Sequence, residues 1–292
     1  MKAATDEGIE ILDRFEEEVP TIPQMFNNTV QHYGSKPANT FKSCREWKTI
    51  SYSEWAGISE EIAIALIRRG VRKGDDIAIM SQVCAQRGWI SMGVLMCGAV
   101  ANTITPLVDD KELKFIINRS DIKYLFVENM AMLERVLPLR SQMPTLKGII
   151  CFDEKYRGGR NNLWGLQDFR MLGINRSLRP VDLKSYWQRL VPEDPAILDY
   201  SMSTTGLLKC RPIKHGDWIK AERSQYRGIL TETLQGKYNN VLTCFLPAST
   251  SQEWVSGFYS LVAIGAQIKY GPGPSRLSRL QDLKTIRQAA AV

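Results

Sequence analysis

Residues 49–81, TISYSEWAGISEEIAIALIRRGVRKGDDIAIMS, switch from a helical period to a short apolar run, and that switch constrains the fold more than any other feature. Ile58, Ile62, Ala65 and Leu66 recur on one helical face. Ser53 reads as the N-cap, with Glu54 in the first turn, where a carboxylate favours the positive end of the helix dipole. Gly70 ends the helix because glycine accepts the left-handed backbone there. Lys73-Gly74-Asp75 turns the chain, and 77–80 is short and wholly apolar, as a buried strand is.

The same alternation continues. A helix is expected over 85–98 and a strand over 99–104. A second helix is expected over 109–118 with Asp110 as its cap, then strands in KYLFVEN from Lys123 and LKGIICFD from Leu146. Strands alternating with helices predict an α/β fold, its mostly parallel sheets covered on both faces. The stretch 88–108 carries no charge and is long enough to span a bilayer. Ser91, Asn102, Thr103, Thr105 and Pro106 argue instead for a buried helix followed by a strand. Residues 154–190 are polar and weakly patterned, and are expected to be an irregular excursion or a join. The expected division is a first α/β subdomain over 1–190 and the start of a second over 191–292. The second holds a helix over 217–234, a strand over 241–245, a buried helix to Ile264 and a strand over 267–270.

Charge and cysteine usage exclude several classes. The formal net charge is +7, but the basic residues are scattered, with no basic-aromatic patch, so no nucleic-acid partner is expected. The six cysteines form no CxxC pair and there are two histidines, so no metal site built on protein ligands is expected. Such cysteines read as free thiols of a reducing compartment, which points to the cytoplasm. The acidic first twenty residues lack the apolar core of a secretory signal. Trp47, Trp55, Trp89, Trp218 and Trp254 read as core or edge packing rather than a ligand cage.

Residues 200–216, YSMSTTGLLKCRPIKHG, gather hydroxyls, a glycine and a lysine. Hydroxyls and turn N–H groups hydrogen-bond phosphate oxygens, and lysine adds charge. Taken alone this is an ordinary surface turn, because Ser, Thr and Gly dominate turns. It does not stand alone. KGDDIAIMSQ, GVLMCGAVANTITP, ELKFIINRSDIKYLFVEN, EDPAILDYSMSTTGLLKCRPIKHGDWI, LPASTSQEWVSGFYSLVAIGAQIKYG and LQDLKTIRQAAAV follow in order from about Ile22 onward. In that order and spacing the chain resembles the adenylate-forming enzymes, and among them the long-chain fatty acid–CoA ligases.

The resemblance implies an AMP-forming ligase that joins a fatty acid to ATP as an acyl-adenylate, releases pyrophosphate, and passes the acyl group to CoA. It implies ATP with Mg2+, fatty acid and CoA as partners. It places Ser201, Thr204, Thr205, Gly206 and Lys209 on the ATP phosphates, and assigns no catalytic residue. His215 falls on a family histidine and reads as a cap or packing residue. The chain departs from the family pattern. Met202 replaces Ser, Ser203 and Cys210 replace glycines, Leu208 replaces Pro, and Thr250 stands where the family has a histidine three residues before Glu253. Losing glycines is expected to strain a turn that needs positive φ. Family members continue past the last segment matched here into adenine, ribose and magnesium motifs and a lid domain with a catalytic lysine. The expectation is therefore a truncated ligase, inactive as an isolated chain. The alternative is a non-catalytic relative that binds nucleotide or acyl groups or serves as an interaction module. Peripheral contact with a membrane, and self-association through an uncovered sheet edge, belong to the same expectation.

Overall fold

Ile77 and Ile79 face one apolar layer, while Ala78 and Met80, between and after them, face another. A strand buried on both faces needs helices on each side of its sheet. The computed structural model describes residues 19–43, 46–158, 161–175, 177–202, 208–220, 241–244, 262–263 and 265–270. In chain order it begins with α1 (Ile22–Tyr33), β1 (Pro37–Ser43), β2 (Glu46–Ser51), α2 (Tyr52–Arg68), β3 (Asp76–Met80) and α3 (Ala85–Met96). It continues through β4 (Val100–Ile104), α4 (Asp110–Arg119), β5 (Tyr124–Val127), α5 (Met130–Val136), β6 (Gly148–Cys151) and β7 (Leu163–Gly165). Then come α6 (Leu166–Ile174), α7 (Leu183–Trp187), β8 (Pro195–Met202), β9 (Leu208–Lys214), β10 (Val241–Cys244) and β11 (Gln267–Tyr270).

Among the described residues the strands form two sheets. The larger has the order β7-β6-β5-β3-β4-β8-β9, parallel throughout except for β9 at the edge. One face carries Ile77, Ile79, Tyr124 and Phe126 against α2, α3 and α6. The other carries Ala78, Met80, Leu125 and Val127 against Leu113, Ile116 and Ile117 of α4 and Leu133 and Val136 of α5. The smaller sheet runs β10-β11-β1-β2, with β1 parallel to β11 and antiparallel to β2. Asn39 of β1 links this sheet to the helical layer, its Oδ1 accepting from Trp89 Nε1 of α3 at 2.7 Å.

The expected α/β architecture stands, with differences in detail. The stretch 88–108 is a helix, α3, buried on every side, and then β4. Among the described residues no helix is long and apolar enough to cross a membrane. The cap of α2 is Ser51 rather than Ser53. Ser51 Oγ accepts from the Glu54 N–H at 3.2 Å, and Glu54 Oε2 accepts from the Ser51 N–H at 2.7 Å, a reciprocal capping box. The cap of α4 is likewise Asp109 rather than Asp110, since Asp109 Oδ1 can reach both the Lys111 and Glu112 N–H groups at 2.8 Å.

The stretch expected to be irregular, 154–190, holds β7, α6 and α7. Trp164, Phe169, Leu183 and Trp187 are buried and set far apart among polar residues. Phe169 packs edge-on to Phe126 at 5.8 Å and Trp164 at 5.7 Å, which is how so few apolar side chains hold the segment down. Of the tryptophans, Trp55, Trp89 and Trp218 are buried and Trp47 is 49% exposed on β2. Trp254 lies outside the described residues.

Candidate functional site

The stretch 200–216 is less a loop than a hairpin. Ala196 and Ile197 are buried and carry β8 alongside β4, with Ala101 opposite Ile197 and Asn102 opposite Leu198. β9 returns antiparallel along the outer side of β8. Pro212 lacks an N–H to offer a further strand, which suits an edge position. The ladder pairs Leu198 with Pro212, Asp199 with Arg211, Tyr200 with Cys210, Ser201 with Lys209 and Met202 with Leu208. Residues 203–207 join the strands, so Thr204, Thr205 and Gly206 lie outside the described residues. Of the five residues expected on the phosphates, the ladder therefore describes the backbone of Ser201 and Lys209, which stand opposite each other in register.

This geometry corrects one argument about the missing glycines. Cys210 sits in β9 and does not have a positive φ; among the described residues the non-glycines that do are Asp121, Asn161 and Asn162. A cysteine there costs no left-handed backbone. Ser203 lies outside the described residues, as do Thr250 and Glu253.

Tyr200 is half-buried and packs against the apolar layer beneath α4 and α5. Its hydroxyl hydrogen-bonds the hydroxyl of Ser120, the C-cap of α4. Burial pushes the phenol above its usual range, so it stays neutral. Beside this pair lies a cleft of about 580 Å3 lined in part by Asp75, Asp76, Ser120, Lys123 and Cys210. Lys123 and Asp75 form an ion pair at 2.6 Å. Burial is the main cause that raises Asp76 to about 6, with the neighbouring Asn102 amide opposing it and Asp75 and Asp121 adding to it.

The helix after the hairpin starts at His215, two residues before the expected Asp217. His215 is 1% exposed. Its Nδ1 accepts the Ile22 N–H at 3.3 Å, its own N–H donates to the Asp194 carbonyl at 3.0 Å, and the Gly216 N–H donates to the Pro192 carbonyl at 2.8 Å. Burial pulls the imidazole down to about 4; Asp194 opposes that shift and Lys73 adds to it. Asp194 is itself paired with Lys73 at 2.6 Å. His215 thus packs and caps, as its sequence position suggested. The sequence does not announce the roles of Ser120, Asp194 and Lys73, because each meets its partner across a long stretch of chain. Among the described residues no three His, Cys, Asp or Glu side chains gather to hold a metal ion.

Comparison with known proteins bears on the family and the fold. The family model for "AMP-binding enzyme" matches residues 26–290. The chain is similar to the long-chain-fatty-acid–CoA ligase ACSBG2 of Homo sapiens, 25% identical over 251 residues that cover 84% of this chain and 36% of that protein. Against ACSBG2 of Rattus norvegicus the figures are 23% over 230 residues, 78% and 34%. The chain thus spans about a third of the length of these curated relatives. Among solved structures, a putative long-chain-fatty-acid CoA ligase from Rhodopseudomonas palustris superposes with a TM-score of 0.71 at 14% identity, covering 91% of this chain and 61% of that one. A long-chain-fatty-acid-CoA ligase from Archaeoglobus fulgidus superposes with a TM-score of 0.68 at 17% identity, covering 89% and 49%. These likenesses show the fold, and the match across residues 26–290 shows the family: the chain belongs to the AMP-binding enzymes.

Proposed function

We propose that this chain forms the triphosphate-holding part of an AMP-forming fatty acid–CoA ligase. The observation that carries the proposal is the hairpin register, which sets Ser201 opposite Lys209 near the ends of β8 and β9. Residue types that bear a hydroxyl and an ammonium group stand at paired ladder positions, and Thr204, Thr205 and Gly206 follow between them in sequence, the residue types that bind a phosphate group.

The chemistry needs little else from these residues. A fatty carboxylate is already deprotonated and attacks the α-phosphorus of ATP. The bond from that phosphorus to the bridging oxygen breaks, and pyrophosphate leaves with the electron pair. Ser201, Thr204 and Thr205 would donate hydrogen bonds, the Gly206 N–H would approach closely, and Lys209 would offset the charge that develops on pyrophosphate. The thiolate of CoA then attacks the acyl carbon and AMP departs. Magnesium would arrive on the triphosphate, and when bound it neutralises phosphate charge.

The departures from the family pattern favour a second reading, a non-catalytic nucleotide-binding module. Met202 and Ser203 stand where hydroxyl and glycine are usual, and Thr250 where a histidine is usual. Fatty-acid-dependent exchange of labelled pyrophosphate into ATP, measured in a full-length ligase that carries this chain in place of its own matching segment, separates the two. The ligase reading expects exchange that requires fatty acid and falls at least tenfold in Lys209→Met. ATP binding with no exchange for any chain length favours the module.

A further inference from the structure

The outer half of the β8–β9 hairpin has few supports. Among the described residues β8 is in register with β4 at Ile197 and Leu198, and from Asp199 to Met202 its ladder partner is β9. A two-stranded ribbon is marginal without packing on something else. Tyr200 supplies that packing, and its hydroxyl reaches Ser120, 80 residues earlier in the chain.

Ser120 is a firm anchor. Its N–H donates to the Ile116 carbonyl at 3.2 Å and closes α4. The other end of α4 is closed by the Asp109–Glu112 capping box, and Leu113, Ile116 and Ile117 bury its inner face. Tyr200 in turn stands directly before Ser201 and opposite Cys210, the neighbour of Lys209.

We infer that the Tyr200–Ser120 pair is a positioning pin, fixing where Ser201 and Lys209 stand and hence where phosphate oxygens are received, without touching them. The inference rests on the phosphate reading of the hairpin. It makes Tyr200 and Ser120 positioning residues, one hydrogen bond long and one residue away from the mouth of the site.

The test uses the full chain and the variants Tyr200→Phe, Ser120→Ala, the double variant, and Ser120→Thr, which retains the hydroxyl. Two quantities are read: hydrogen exchange of the amides of Ser201, Met202, Lys209 and Cys210, and affinity for ATP-magnesium by calorimetry. The pin predicts exchange about tenfold faster in either single variant and no faster in the double, while β3 and β5 amides stay unchanged. It predicts ATP affinity lower by about threefold to tenfold in the same three proteins, and both quantities restored in Ser120→Thr. Unchanged hairpin exchange would overturn the pin. Faster exchange with wild-type ATP affinity would leave the hydrogen bond a structural tie and overturn its positioning role. A wild-type chain that binds no ATP overturns the phosphate reading and the positioning role with it, while exchange still judges the tie itself.

Discussion

The backbone N–H of Ile22, the first residue of α1, donates to Nδ1 of His215 at 3.3 Å, 193 residues later in the chain. The relationship fills a gap. Thr21, the N-cap, makes no side-chain capping bond, and Pro23 has no N–H to cap. An imidazole nitrogen from the helix after the hairpin therefore performs a task usually done locally. It also stitches the base of the hairpin to the first helix of the fold.

Replacing His215 by Leu leaves the Ile22 N–H buried without a partner and should destabilise the fold by about 1–3 kcal/mol. His215→Asn, whose Oδ1 can stand where Nδ1 stood, should recover at least half of that loss. Urea unfolding of the three proteins at neutral pH checks both statements; equal losses in the two variants would show that packing, not the hydrogen bond, matters.

The same histidine predicts a pH dependence. Its folded value is depressed from 6.5 to about 4. Between those values the unfolded chain takes up a proton that the folded chain does not, so stability falls as pH falls from about 6.5 to about 4, with a slope on the order of 1 kcal/mol per pH unit. Asp76 acts in the opposite sense. Its folded value is raised from 3.8 to about 6, so the folded chain binds the extra proton, and stability rises as pH falls through that window. In wild type the two largely offset each other between pH 6 and pH 4. His215→Asn should therefore gain on wild type as the pH falls, and Asp76→Asn should lose ground to it. Unfolding curves at pH 7, 5.5 and 4.5 would expose a wrong sign for either.

Gly93 of α3 lies where α2 comes closest. A β-carbon there would sit 2.7 Å from the Ser59 carbonyl oxygen and 3.0 Å from the Ile62 side chain. Ser59 Oγ also donates to the Trp89 carbonyl at 3.0 Å across the same contact. Gly93→Ala should cost about 1–3 kcal/mol by forcing the helices apart. Stability unchanged in a thermal melt would mean that the crossing can open without penalty.

The turn departures make a directional prediction about nucleotide affinity. Met202→Ser with Ser203→Gly should tighten ATP-magnesium binding by up to about tenfold, the equivalent of a hydrogen bond regained. Cys210→Gly should not help, because position 210 is extended strand and glycine there loosens the ladder. Calorimetry on the two sets of variants separates positions 202 and 203 from position 210; tighter binding in Cys210→Gly would restore the strained-glycine account.

Much of the fold was legible because its strands are uninterrupted apolar runs. Ile77 to Met80 and Tyr124 to Val127 can be little else, and the helices between them keep one apolar face. The caps lie one or two residues before the positions expected, since Ser51 and Ser53, or Asp109 and Asp110, are equally good acceptors. Only the reciprocal Glu at the third helical position distinguishes them. β9 is hidden in the sequence because Lys209, Arg211 and Pro212 interrupt any apolar alternation, whereas an edge strand tolerates charge and proline. The pairing of β1 with β11 joins Asn39 to Ile268 across most of the chain, and no local pattern announces such a partner. For the same reason the candidate site was legible as a list of phosphate-binding residue types, while the Ser120 and Ile22 anchors that hold it were not.

The central claim is that the hairpin mouth formed by Ser201 and Lys209 receives the phosphates of ATP. Its most direct test is calorimetric titration of ATP-magnesium into the wild-type chain and into Lys209→Met, with AMP as the control ligand that lacks the β- and γ-phosphates. The account predicts wild-type binding with a Kd of ~0.1–1 mM, weakened about tenfold or more in Lys209→Met, and AMP binding that the substitution leaves unchanged. No heat at millimolar ATP, or the same ATP affinity in both proteins, would contradict it.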